Sequence, residues 1–232
     1  MLKVNKLTKE FKMHIRDGLV IEGFSDVTFT AYDGKLLAIT GASGIGKSTL
    51  LKCIYRTYKP TQGSVIYSKK DGSEVNLAKA DDQTILKLRK TEIGYISQFL
   101  SVIPRVSALE ILTNKISTKS VSENEAKKIA EYYLDKVGIS KTLWNMYPST
   151  FSGGEKQRLN ILLALTAKPR LLLLDEPTAS LDVNSKEIIF ELILDAKKSG
   201  TTMIGVFHDK DAIKALADSR FDMLENQLVS VS

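Results

Sequence analysis

Three short groups of residues carry side chains and backbone suited to chemistry on phosphates. The first is Gly41-Ala42-Ser43-Gly44-Ile45-Gly46-Lys47-Ser48, followed by Thr49. Its glycines let successive backbone N–H groups turn inward and form a nest for an anion. The apolar run Leu36 to Thr40 precedes the loop, and a helical pattern follows from Lys47. Strand, glycine-rich loop and helix in this order make a phosphate loop, with the helix N-terminus aimed at the anion. Lys47 is expected to reach the β- and γ-phosphates and the Ser48 hydroxyl to ligate Mg²⁺. The second group ends the run Leu171-Leu172-Leu173-Leu174-Asp175-Glu176. A buried strand here delivers two carboxylates to its C-terminal end, where α/β sheets place ligands. Asp175 is then a candidate to hold Mg²⁺, and Glu176 to orient or deprotonate an attacking water.

The third group is Ser152-Gly153-Gly154-Glu155-Lys156-Gln157-Arg158. Ser152 and Glu155 fit a capping box at the start of a helix. The two glycines leave that helix end open, so its N–H groups and the Ser152 hydroxyl can face an anion. A second anion-binding helix end makes sense if it serves a nucleotide held by another subunit.

The elements that must position these groups read as follows. Val27, Phe29 and Ala31 alternate with Thr28 and Thr30, a half-buried strand pattern. Leu50, Leu51, Ile54, Tyr55 and Tyr58 share a helical face that Pro60 is expected to end. Residues 62–77 read as a hairpin turning at Lys69–Gly72. From about 81 to 150 the chain reads as predominantly helical. Ser107-x-x-Glu110 and Ser122-x-x-Glu125 fit capping boxes, and Ala126, Ile129, Ala130, Tyr133 and Val137 form a core-facing stripe closed at Gly138. The last third alternates again: a strand at Leu171–Leu174, a helix over 184–199 stopped at Gly200, and a strand at Thr201–Phe207. Strand–helix alternation broken by a helical insert predicts an α/β sheet with a helical subdomain, about 81–160, inserted between 1–80 and 161–232.

Composition narrows the function classes. The chain is 43% hydrophobic and 26% charged, as in an ordinary globular protein. No apolar run approaches the ~20 residues of a membrane span, and the first ten residues lack a signal-type apolar stretch. The reading is therefore cytoplasmic, with any membrane role exerted through a partner. The single cysteine, Cys53, falls in an apolar pattern and reads as core filler. The net charge of +6 suits polyanionic ligands, but the lysines are spread along the chain and no nucleic-acid motif accompanies them.

The three groups, in this order, resemble the ATPase domain of ABC proteins over essentially the whole chain. That resemblance implies a P-loop fold with a mixed sheet core, an antiparallel β subdomain and the helical insert. It also implies ATP and Mg²⁺ as ligands and a dimer, of like or unlike subunits, that sandwiches ATP between Gly41–Ser48 of one subunit and Ser152–Glu155 of the other. Under the same resemblance, Gln98 contacts Mg²⁺ and water, Ser180 and Asp182 form the loop that crosses the dimer interface, and His208 touches the γ-phosphate. Phe11 lies where the family stacks an aromatic on adenine; core packing is an equal reading of it. His14 fits no motif and reads as a surface residue. Leu163 stands where the family often has arginine, so subunit contacts there can differ.

A closer resemblance rests on residues outside these motifs. Lys90 to Glu110, Tyr147 to Gly154 and Gly205 to Asp209 are similar to the ATP-binding L subunits of carbon–phosphorus lyase systems. It implies partnership with the lyase core subunits, and support for a synthase step in which a phosphonate displaces adenine from ATP to give a ribose 1-methylphosphonate 5-triphosphate. Two alternatives stand beside it: the ATPase subunit of a lipoprotein-releasing or export transporter, and a nucleic-acid-associated ABC ATPase. In the first two readings residues 99–112 dock a soluble core or a permease, respectively.

Overall fold

Val27, Phe29 and Ala31 are buried while Thr28 is exposed, and this alternation lies in a long strand of the computed structural model of the chain. The structure describes residues 1–13, 19–97, 105–118, 120–179 and 181–231. These divide into two units: Met1–Tyr95 with Pro169–Asp175 and Lys197–Ser232, and Ile96–Lys168 with Glu176–Ala196.

The first unit holds two sheets. One is antiparallel: β1 (Leu2–Met13) lies between β2 (Leu19–Ala31) and β4 (Gln62–Ser68), and β5 (Glu74–Asn76) pairs with β4. The predicted hairpin is thus β4–β5, with Gly72 in the left-handed region at its turn (φ 82°). The other sheet has six strands. They are β3 (Leu36–Thr40), β6 (Ile93–Ile96), β7 (Leu171–Asp175), β8 (Thr202–Val206), β9 (Ser219–Asp222) and β10 (Gln227–Ser230), in the order β10-β9-β3-β8-β7-β6. β3 runs parallel to both β8 and β9, and β7 runs parallel to β8. The register sets Ile39 and Asp175 both opposite Val206. The strands therefore end at one edge of the sheet, which is where parallel sheets place ligands. Leu171 to Leu174 are each at most 1% exposed, as expected for a strand covered on both faces. Each leucine so buried is worth about 1.5–3 kcal/mol against exposure.

One reading of the sequence is corrected here and another gains a detail. The segment 81–150 is predominantly helical, and within it α2 (Asp82–Thr91) leads directly into β6, an edge strand of the six-stranded sheet. The close approach of Gly94 to the Leu172 side chain and to Pro169 explains why a glycine interrupts β6, since a Cβ there would sit 2.9 Å from Leu172 Cδ1. The helix after the glycine-rich loop, α1 (Lys47–Ile54), ends well before Pro60. Arg56 takes a left-handed backbone (φ 66°) and turns its side chain into the unit, where Nε donates to Leu77 O (2.7 Å) and Nη2 to Ala80 O (2.8 Å). Tyr58 thus lies beyond the helix.

The second unit is helical: α3 (Ala108–Ile116), α4 (Glu123–Lys136), α5 (Gly153–Thr166) and most of α6 (Val183–Lys198). The short α7 (Lys210–Leu216) belongs to the first unit. Ser107 and Ser122 cap α3 and α4, each hydroxyl accepting from the N–H of the glutamate three residues on. On α4, Ala126, Ala130, Leu134 and Val137 are buried, and Gly138 follows with φ 69°. Gly200 likewise follows α6 with φ 97°. Among the described residues no helix is long and apolar enough to cross a membrane.

Candidate functional site

In the first unit the glycine-rich loop links β3 to α1. Gly41, Gly44 and Gly46 all have positive φ (138°, 82° and 102°). At Gly46 the requirement is double, because a Cβ there would lie 2.0 Å from Gly23 O. The loop is thus pressed against β2, and only glycine satisfies both the dihedral and the contact. Lys47 opens α1 with 6% of its surface exposed, and its ammonium donates to Gly41 O (2.9 Å) and Ala42 O (2.8 Å). That bridge fixes the lysine's position across the mouth of the loop.

Asp175 ends β7, 6% exposed. Ser48 Oγ donates to its Oδ1 at 2.7 Å, and Tyr95 Oη donates to its Oδ2 at 2.7 Å. Ser48 and Asp175, far apart in sequence, are therefore brought together. Tyr95 had no assigned part. The Tyr95 hydroxyl titrates well above the usual tyrosine range, first because of burial and then because it donates to a carboxylate. Its proton stays in that bond at physiological pH. The Tyr95 ring stacks on Tyr55, with centroids 5.0 Å apart and planes 30° apart. Tyr55 is held in turn by Arg89, which donates twice to its carbonyl (3.0 and 2.7 Å) and lies 4.2 Å over its ring.

The pair of hard oxygens at Ser48 and Asp175 suits Mg²⁺, which takes one or two protein oxygens and leaves its other positions to water and phosphate. Among the described residues no cluster of three or more His, Cys, Asp or Glu could form an all-protein cage.

Phe11 sits on β1 opposite Ile21 of β2. It meets Tyr58 edge-on (5.4 Å, 88°), and the Lys9 ammonium lies 4.8 Å from its ring centroid. A Cβ on Gly23 would touch both Phe11 Cε2 (3.0 Å) and Thr49 Cγ2 (3.4 Å), so this aromatic stands beside the start of α1. His208 follows β8 in an exposed turn before α7. Cys53 is fully buried on α1, its thiol pushed up to about 12 by burial, as befits core filler.

In the second unit, Ser152 and Glu155 make a complete capping box. Ser152 Oγ accepts from Glu155 N–H, and Glu155 Oε2 accepts from Ser152 N–H at 2.8 Å. Donation to Oε2 from the Ser152 N–H, and next from the Ser152 hydroxyl (2.8 Å), holds the Glu155 carboxyl below its usual range. Among the described residues nothing lies within 4 Å of a Cβ placed on Gly153. Glu176 follows Asp175 with a left-handed backbone (φ 51°), unusual for a residue other than glycine. Two side chains of α5 tie down the chain that follows Glu176, one at Pro177 and one at the first turn of α6. Buried Gln157 donates from Nε2 to Pro177 O (3.0 Å), and Arg158 donates from Nη1 to Ser185 Oγ (2.9 Å). Asp182 accepts from Ser185 N–H and Oγ, and the backbone donation foremost lowers its carboxyl below the usual range. Gln98, Ser180 and His14 lie outside the described residues.

Sequence reading missed Tyr95, Gln157 and Arg56 as positioning groups. For Tyr95 and Arg56 the available signal was chemical, a polar tip or a charge beside apolar residues, whereas Gln157, between Lys156 and Arg158, gave none.

This fold and these motifs define a nucleotide-hydrolysing cassette, and comparison with known proteins agrees. Residues 24–179 match the family model described as ABC transporter, and the chain belongs to that family as an ABC-type ATPase. A lipoprotein-releasing system ATP-binding protein, LolD, of Hahella chejuensis is 34% identical over 99% of this chain and 96% of its own length. A glutamine transport ATP-binding protein, GlnQ, of Geobacillus stearothermophilus is 36% identical over 83% of this chain and 77% of its own. The dimeric post-hydrolysis structure of the ATP-binding cassette MJ0796, bound to ADP and Pi, superposes with a TM-score of 0.86 at 28% identity, covering 100% of this chain and 99% of that one.

Proposed function

We propose that this chain is the ATP-hydrolysing subunit of an ABC transporter, closing as a dimer and passing that closure to a separately folded permease. The observation that carries the proposal is the Lys47–Ser48–Asp175 cluster at the end of the parallel strands, in a chain whose full-length relatives are transporter ATPases. In this reading Gly41 to Thr49 cradle the phosphates and Phe11 borders the base. Mg²⁺ would be held by Ser48, Asp175 and Gln98, and it neutralises charge on the phosphates. Glu176 accepts the proton of the attacking water, and His208 steadies the γ-phosphate. The Ser152–Glu155 helix end closes on the nucleotide of the opposite subunit, and Ser180 and Asp182 lie along that interface. The dimeric cassette of known structure supports the pairing. Hydrolysis removes the charge that holds the two halves, so nucleotide state sets the closed population.

A second reading keeps the ATPase and changes the partner. Residues 90–110, 147–154 and 205–209 resemble carbon–phosphorus lyase L subunits, and they favour a soluble phosphonate-processing assembly. The named relatives are transport proteins and favour the permease.

One experiment serves both. Glu176→Gln protein loaded with ATP should run as a closed dimer, and it can be used to capture partners from cells of its source. An integral membrane protein in the catch establishes the transporter reading. Soluble lyase subunits replace it with the second. Unchanged hydrolysis by Glu176→Gln removes the assignment of the base.

A further inference from the structure

We infer that Tyr95 is a positioning residue for the metal-side carboxylate, fixing the rotation of Asp175 so that one oxygen faces Ser48. The inference rests on the reading of Asp175 given above and adds a residue to it.

A carboxylate at a strand end can rotate about its last bond. Here both of its oxygens are tied, one by the Ser48 hydroxyl and one by the Tyr95 hydroxyl, each at 2.7 Å. Ser48 can give its proton to Oδ1 and keep its oxygen lone pairs for the cation. Tyr95 is the group that prevents Oδ1 and Oδ2 from exchanging places. Its own position is set from behind by the stack on Tyr55, which Arg89 of α2 holds by donating twice to the Tyr55 carbonyl. The hydroxyl is therefore presented by a rigid ring rather than a flexible chain. Removing a partner that orients a metal's ligand in this way typically costs roughly 10–100-fold in metal affinity.

Tyr95→Phe tests this, because it removes the hydroxyl and keeps the ring that stacks on Tyr55. Mn²⁺ titration followed by electron paramagnetic resonance, with ATP present, should show roughly 10-fold weaker metal binding. ATP binding in excess chelator should match the native protein. Hydrolysis should need correspondingly more Mg²⁺ for half its maximal rate and approach the native kcat at high Mg²⁺. Unchanged Mn²⁺ affinity overturns the inference. So does a loss of metal-free ATP binding equal to the loss of metal affinity, since that marks the hydroxyl as a packing element. Asp175→Asn separates the underlying reading: if that variant holds Mn²⁺ as the native chain does, Asp175 is not a metal-side group and both statements fall.

Discussion

Lys47 holds a full charge on a nearly buried side chain, and its partners are two carbonyl oxygens of the loop it closes. Neutral acceptors satisfy its donors without neutralising it, which leaves the charge available to phosphate. Lys47→Ala should weaken ATP binding by about 3 kcal/mol, the scale for removing one member of a desolvated charge pair. Nucleotide titration checks this, and wild-type affinity would refute the role. Gly46 fails differently. Gly46→Ala adds a Cβ onto Gly23 O at a residue with φ 102°, so it should lower stability by more than ~1 kcal/mol and abolish nucleotide binding together. A melting curve beside the titration separates it from Lys47→Ala, which adds no steric contact and should lower the melting point less than Gly46→Ala does. Both residues were legible in the sequence because loop, lysine and serine are contiguous. Tyr95 was not, because its partner lies 80 residues away and only the strand order, with β6 beside β7, brings them together.

The elements show the same division. The caps at Ser107, Ser122 and Ser152 follow from spacing over three residues, and the structure contains them; of the expected α4 stripe Ala126, Ala130 and Val137 are buried, while Ile129 and Tyr133 are half-buried and Leu134 is buried in their stead. The end of α1 follows from Arg56, whose guanidinium reaches carbonyls 21 and 24 residues on, which no local pattern announces. Arg56→Ala leaves those carbonyls unpaired and should cost about 3 kcal/mol in chemical denaturation. Arg56→Lys should recover little, because a single ammonium cannot span both. At α5, the Glu155 carboxyl has a folded value below its unfolded one. Its contribution is therefore complete above the unfolded carboxylate value, about 4.3, and is lost as pH falls through the lower folded value. The stability gap between the native chain and Glu155→Gln should narrow as pH drops from about 6 toward 3. A gap that stays constant would contradict the capping account.

At the scale of the whole molecule, the proposed closed state needs two chains, since each supplies a phosphate loop to one nucleotide and an open α5 end to the other. ATPase activity per subunit should rise with protein concentration in the dilute range and level off once dimers dominate. A rate strictly proportional to concentration throughout would show that one chain suffices. The arrangement of strands also dictates when such a chain becomes competent. β3 delivers the phosphate loop, yet its two neighbours, β8 and β9, come from residues 202–206 and 219–222. During synthesis, the loop leaves the ribosome long before the strands that flank β3. Long-range parallel pairing of this kind is slow and exposes apolar edges while it waits. A nascent chain should therefore grip nucleotide only once residues 202–222 have emerged and paired with β3, so the order in which the strands are made guards against premature ATP turnover.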